Sequence, residues 1–421
     1  MADMFRRKTH RRDFLKGKSA AQALGDWTHG TEAAAETEED AASADAKQEA
    51  SPAQGKRPAV HPTAVRPAPL RTGPVIMKLG RPMMACEFEV ALDPFRVTDV
   101  HEVAEEALDV IAEVEDQLTV YRESEVTRLN AVAAGGPTPV TDDLFELVRR
   151  CVELSRETDG AFDITTGPLT KVWGFYRRQG AMPSPEAVQE ALARTGAARL
   201  LLDEGEKTIA FDRSGVEINF GGIGKGYALD MAAERLIAAG VGDFLMHGGM
   251  SSVLARGSRR LPNADGATNA DKKQAGWTIT LKSPLIPTQS LAELRLTDQA
   301  VGTAGAAFQS FTHRGKRYGH ILDPRTGWPA EGVLSATAIT ESAADADALA
   351  TAFYVLGPEK TAEFIANRPE VSALLCLAGQ SRKAARLIPI NLGGKVWRTL
   401  QDSAEVDDRW DAAASSKFTR R

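Results

Sequence analysis

Val216-Glu-Ile-Asn-Phe-Gly-Gly-Ile-Gly-Lys-Gly-Tyr227 reads as a strand, a glycine-rich turn and the start of a helix. Glycines 221, 222, 224 and 226 let backbone N–H groups approach a ligand closely, and a helix N-terminus favours anions. Lys225 adds a compact positive charge suited to phosphate. The spacing is neither a Walker A loop nor the G-x-G-x-x-G of dinucleotide sites. The same glycines also suit a tight strand-to-helix turn that only lets elements pack, and both readings stand at this point.

Outward from this turn, Tyr227 to Ala239 is a helix stopped by Gly240 as its C′ residue. Cys86 to Leu92 alternates as a strand does. Asp99 to Leu118 carries a helical stripe of Val103, Ala107, Val110, Ile111, Val114 and Leu118. Asp142 to Thr158 is a second amphipathic helix, with Leu144, Leu147, Val148, Cys151 and Leu154 inward. Leu200 to Asp212, Asp243 to Met246, Trp277 to Leu281, Leu294 to Leu296 and Ala373 to Ala378 are expected strands. Ala343 to Val355 is a helix with Gly357-Pro358 as its stop, and Lys360 to Asn367 another. Ser258 to Gly276 is polar and reads as a surface insertion. Helices and strands mix without regular βαβ alternation, which favours an α+β, or layered α/β, domain over a doubly wound one.

The run Tyr318-Gly-His-Ile-Leu-Asp-Pro-Arg-Thr-Gly-Trp-Pro329 places a histidine beside a rigid turn, because Pro324 fixes φ and Gly327 permits a tight reversal. Asp347 and Thr351 lie four apart in an Ala/Leu-rich helical stretch, hence on one face. A carboxylate and a hydroxyl so placed can hold a hard cation such as Mg²⁺. The plainer reading is a carboxylate complementing a helix dipole.

Three further loops carry small or aromatic residues. His247-Gly-Gly-Met-Ser-Ser252 can bring backbone close to a ligand, and in Ala300-Val-Gly-Thr-Ala-Gly305 Thr303 is the only polar side chain. Phe162 to Phe175 puts Asp163, Thr165 and Thr166 beside aromatics, read either as strand-and-loop core or as a wall for a planar ligand. Tyr121 is either a stacking residue or an exposed tyrosine at a helix end.

Composition bounds these readings. The 421 residues are 43% hydrophobic and 26% charged, ordinary for a soluble globular protein. The net charge of −6 and the lack of a basic stripe interleaved with aromatics argue against a nucleic-acid binder. Three cysteines, Cys86, Cys151 and Cys376, have no metal-ligand spacing and imply no disulfide framework. No run of eighteen apolar residues exists, so no transmembrane helix is expected. Arg11-Arg12-Asp13-Phe14-Leu15-Lys16 looks like a twin-arginine export signal, but Lys18, Gln22 and Asp26 interrupt the apolar region that should follow. Residues 1–29 are therefore read as a degenerate or vestigial signal at least as readily as a working one. The location is periplasmic if that signal works and cytoplasmic otherwise. Residues 30–74 are Ala-, Glu-, Asp-, Ser- and Pro-rich and read as a disordered linker. One domain is expected over 75–395, with 396–421 a polar, frayed tail.

Taken in order, these blocks resemble the ApbE family of FAD:protein FMN transferases, over roughly Pro74 to Leu392. The similarity rests on Met84-Ala-Cys-Glu-Phe-Glu, Leu118 to Asn130, Phe162 to Phe175, Asn219-Phe-Gly-Gly-Ile-Gly-Lys-Gly-Tyr-Ala-Leu-Asp230, the His320 block and Ala346-Asp-Ala-Leu-Ala-Thr351. This chain has Met84-Ala85-Cys86 where the family usually shows Met-Gly-Thr, and Ala304 where it often shows serine. Asn219, Gly224 and Met250 replace a common aspartate, alanine and aspartate.

The resemblance implies a T-fold-like α+β core of mixed sheet and packed helices. It implies Mg²⁺-dependent cleavage of FAD, passage of FMN to a threonine of an acceptor flavoprotein, and loss of AMP. The acceptor would carry a Ser/Thr-Gly-Ala-Thr-like stretch. By the same resemblance, Asp347, Thr351 and the Gly222 carbonyl would ligate Mg²⁺. Gly221, Gly222, Lys225, Asp230, Thr303, Met84 and Tyr121 would contact the flavin nucleotide. His320 would act as base and Asp347 as the second catalytic residue. An FAD pyrophosphatase and a flavin carrier without turnover are the alternatives.

Overall fold

A computed structural model describes residues 75–258, 276–286, 288–306, 309–380, 384–393, 397–400 and 404–411. The expected signal, the linker and residues 259–275 of the insertion lie outside the described residues.

In chain order, β1 (Met77–Met83) and β2 (Cys86–Leu92) precede α1 (Val100–Leu118), α2 (Glu125–Val132), β3 (Thr138–Pro139) and α3 (Asp142–Glu157). Next come α4 (Gly167–Val172), α5 (Pro185–Leu192), β4 (Leu200–Asp203), β5 (Thr208–Phe211) and α6 (Gly224–Ala238). Strands β6 (Phe244–Gly248), β7 (Ser252–Arg256), β8 (Trp277–Lys282), β9 (Ser290–Leu296) and β10 (Gln299–Gly305) follow. The hairpin β11 (Ser310–His313) and β12 (Lys316–Gly319), strand β13 (Ser335–Thr340) and α7 (Ala343–Ile365) lead to β14 (Ser372–Ala378), β15 (Ala385–Ile390), β16 (Trp397–Thr399) and β17 (Glu405–Val406).

Among the described residues the main sheet has nine strands in the order β1-β2-β6-β7-β10-β13-β14-β15-β17. Its neighbours are antiparallel except the parallel pair β15–β17, so the sheet is mixed and the class is α+β. Period-two alternation sends its side chains to two cores. Ala300 and Ala338 join the core beneath the helices, whereas Val301 and Ile339 join a second core capped by Trp277, Leu291 and Leu294 of β8 and β9. Small residues on the helix-facing side let α7 lie close to the sheet.

In α1 the buried stripe is Ala104, Ala107, Leu108, Ile111, Val114 and Leu118. Val103 and Val110 are only half-buried, so the stripe is rotated from the expected one. In α3 all five residues expected inward are buried, and Thr141 caps its N-terminus. The Gly357 stop is a kink, with φ 73° and ψ 178° inside α7.

Three expectations need correction. Val216 to Phe220 is not a strand. The Asn130 side chain pairs with the backbone of Ile218 instead, donating to its carbonyl at 2.9 Å and accepting from its N–H at 2.8 Å. Phe162 to Thr166 is likewise not a strand but a buried turn, in which Asp163 accepts from the N–H groups of Thr165 and Ala197. The described residues of the expected tail, 397–400 and 404–411, are not frayed: β16 pairs with β9, β17 pairs with β15, and Asp411 is buried and accepts from Leu392 N–H. Their polar residues alternate along sheet edges, which hides them from a hydrophobicity reading.

Candidate active site

Two glycines set the depth at which α7 enters the site. A Cβ on Gly226 would stand 1.9 Å from the Ala343 carbonyl oxygen, and one on Gly302 would stand 2.2 Å from that of Ala346. Only glycine permits this approach, so the first turn of α7 wedges between α6 and β10. That wedge buries Asp347. Its Oδ2 accepts from Gly226 N–H at 2.8 Å and its Oδ1 from the Ser252 hydroxyl at 2.7 Å, while Lys225 Nζ lies 3.8 Å away. Burial pushes the Asp347 carboxyl above its ordinary range, opposed by Lys225, Ser252 and the Gly226 amide. A desolvated carboxylate facing one lysine is costly to keep charged, and such groups cluster at functional sites.

Thr351 follows one turn later. Its hydroxyl donates to the Asp347 carbonyl at 3.2 Å and lies 3.3 Å from where a Gly222 Cβ would stand. Asp347, Thr351 and the glycine turn are thus brought together. Among the described residues no group of three or more His, Cys, Asp or Glu is placed to hold a metal. The donor set here is instead one carboxylate, one hydroxyl and the backbone of Gly222, all oxygen. That chemistry fits a hard cation, and Mg²⁺ commonly takes only one or two carboxylates and completes its shell with water and phosphate.

The turn does not form an open cradle of amides. Gly221 N–H donates to Asn219 Oδ1 at 3.1 Å, Ile223 and Gly224 N–H donate to the Phe220 carbonyl, and Gly226 N–H is taken by Asp347. Those amides are engaged within the protein, and Lys225 supplies a positive charge at this turn. The Asp230 carboxylate caps α7, accepting from Ala343 N–H, Ala344 N–H and the Ser342 hydroxyl at 2.8–2.9 Å. Burial raises its carboxyl despite those bonds. Thr303 lies on β10. Gly302 faces α7, so alternation turns Thr303 to the other side of the sheet, where its hydroxyl meets that of Thr337 at 3.1 Å.

His320 follows β12. Its Nδ1 lies 3.1 Å from the Gln309 carbonyl oxygen, and the Phe175 ring stands edge-on at 6.4 Å. Burial, with smaller contributions from Lys225 and Arg178, lowers its pKa from the ordinary value, against the hydrogen bond to Gln309. The turn Asp323 to Gly327 forms as expected, with Gly327 N–H on the Asp323 carbonyl at 2.8 Å and φ 77° at Gly327. Trp173 anchors this turn by donating from Nε1 to the Gly327 carbonyl at 2.8 Å.

Met84 and Ala85 form the β1–β2 turn with φ 48° and 59°. Cys86 sits beside Gly249, and burial raises its thiol above the usual range. Tyr121 is 72% exposed and packs against Tyr176 with ring centroids 5.2 Å apart and planes tilted by 31°, which leaves its outer face open. Tyr176 donates to the Val120 carbonyl at 2.7 Å. Ser252, Asn130 and Gln309 were missed by the sequence reading. Their signals are weak, since each acts on a distant segment.

The ApbE family model matches residues 84–375. An FAD:protein FMN transferase of Klebsiella pneumoniae is 30% identical over 70% of this chain and 90% of its own length. One from Treponema pallidum is 30% identical over 68% of this chain and 80% of its own. Among solved structures, the Pseudomonas stutzeri flavinyl transferase ApbE superposes with a TM-score of 0.64 at 27% identity, over 83% of this chain and 98% of the other. The Thermotoga maritima ApbE protein gives 0.63 at 28%, over 72% and 94%. This chain belongs to the ApbE family.

Proposed function

We propose that this protein is an FAD:protein FMN transferase that passes FMN from FAD to a threonine hydroxyl of an acceptor flavoprotein and releases AMP. The observation that carries this reading is the buried Asp347 carboxylate, held against Lys225 and one turn from Thr351, in a chain whose curated relatives are named for that transfer. Asp347, Thr351 and the Gly222 carbonyl would hold Mg²⁺, which when bound neutralises charge on the pyrophosphate. Lys225 supplies a second positive charge to the phosphates. Tyr121 offers its open face to a planar ring of the nucleotide.

The acceptor threonine oxygen bonds to the phosphorus of the FMN half, and the bond from that phosphorus to the bridging oxygen breaks. The oxygen leaves with AMP. The threonine proton passes to His320 Nε2, which is free to accept because Nδ1 is committed to the Gln309 carbonyl. The acceptor is read as a flavoprotein with a Ser/Thr-Gly-Ala-Thr-like stretch. AMP release from FAD, measured with Mg²⁺ and with EDTA and with and without an acceptor domain, tests the reading. Metal-dependent AMP that requires the acceptor supports it. Metal-dependent AMP and free FMN without an acceptor would make the protein a pyrophosphatase instead.

A further inference from the structure

We propose that Gln309 is the positioning residue of His320: its side-chain amide grips the Phe175 carbonyl, while its own carbonyl holds the imidazole in the Nδ1–H tautomer. This inference rests on the reading of His320 as the base.

Three contacts carry it. His320 N–H donates to the Gln309 carbonyl at 3.2 Å, and His320 Nδ1 meets the same oxygen at 3.1 Å. Gln309 Nε2 donates to the Phe175 carbonyl at 3.1 Å. A carbonyl can only accept, so the Nδ1 contact requires a hydrogen on Nδ1 and leaves Nε2 as the lone-pair nitrogen. The far end of the clamp is rigid. Phe175 is buried beside Trp173, and its carbonyl also accepts from Arg178 N–H at 3.0 Å. Trp173 in turn holds the Gly327 carbonyl, seven residues beyond His320. His320 is thus fixed from both sides: through Gln309 to Phe175, and through its own downstream turn to Trp173. Among the described residues, Gln309 is the point where this network reaches the ring nitrogen itself, and its side chain is the part that a substitution can remove.

The decisive variant is Gln309→Glu. It keeps the size of glutamine but puts an acceptor against the Phe175 carbonyl in place of a donor, so it should push the Gln309 backbone away from the ring. The full chain is labelled with ¹⁵N-histidine, and the His320 ring signals are assigned by their loss in His320→Gln. The wild type is expected to show a pyrrole-type Nδ1 and a pyridine-type Nε2 near neutral pH. In Gln309→Glu the two signals should move towards a mixed tautomer. The kcat for flavin transfer should fall about tenfold or more with KM for FAD within about twofold, as displacement of a base by a fraction of an ångström implies. Wild-type tautomer signals together with wild-type kcat in Gln309→Glu would overturn the proposal. If Gln309→Glu does not fold, Gln309→Ala is judged by the same two readouts. The ring signals need no turnover, so loss of the clamp is read even if the wild type transfers no flavin, and the two failures are told apart.

Discussion

Replacing Asp347 by asparagine should leave the metal-free protein at least as stable as the wild type at neutral pH, while abolishing its chemistry. The asparagine oxygen can accept from Gly226 N–H, and its NH₂ can donate to the Ser252 hydroxyl, so both partners now on the carboxylate stay satisfied. What is lost is the attraction of Lys225 at 3.8 Å; what is removed is the cost of burying a charge. Alanine behaves differently. It strands the Gly226 N–H and the Ser252 hydroxyl, and at about 1–2 kcal/mol for each buried orphan the loss is about 2–4 kcal/mol. The sign with pH follows from the raised carboxyl. Between the ordinary aspartate value and the raised one, the folded state binds the proton and the unfolded state does not. Wild-type stability therefore falls as pH rises through that window and stays lower above it. The advantage of asparagine should be absent well below the ordinary aspartate value and grow as pH rises through the raised one. Urea unfolding in EDTA, at about pH 3 and about pH 7.5, reads this directly as a shift in midpoint at constant slope. If asparagine costs as much as alanine at neutral pH, the Asp347 charge stabilises the fold and the case for a functional carboxylate fails.

Other outcomes follow from the same geometry. Ala85→Gly relieves a left-handed φ of 59° in the β1–β2 turn and should raise stability by about 1 kcal/mol in the same unfolding assay. Asn130→Ala leaves both backbone groups of Ile218 without their partner and should cost about 2–4 kcal/mol, with a raised KM for FAD because the glycine turn is tethered there. With His320 as the proposed base and its pKa lowered by burial, kcat/KM should rise with pH along a limb centred below 6.5. A limb centred above that value would contradict the buried, neutral imidazole.

Much of the site was legible because its chemistry is local. Asp347 and Thr351 share a helix face by spacing, and Gly327 marks its turn by residue type. Strand β2, helix α3 and the Gly357 break followed from alternation, apolar spacing and punctuation. What escaped depends on contacts between distant segments. Asn130 imitates a strand partner for Ile218 across 88 residues, so an apparent strand has no ladder. The role of Asp230 as the cap of α7 is invisible locally because its partner lies 113 residues away. The direction of Thr303 is set by Gly302 pressing on α7, which no single-strand pattern reveals. Trp397–Thr399 and Glu405–Val406 are too short and polar to announce themselves as strands until β9 and β15 offer them edges.

The most direct test is the intact mass of a candidate acceptor domain after incubation with FAD, Mg²⁺ and either the wild type or Asp347→Ala. On the proposed function, the acceptor gains one FMN unit with one AMP released, only with the wild type and only with the metal. An acceptor of unchanged mass, whether FAD stays whole or breaks down to free FMN, would contradict it.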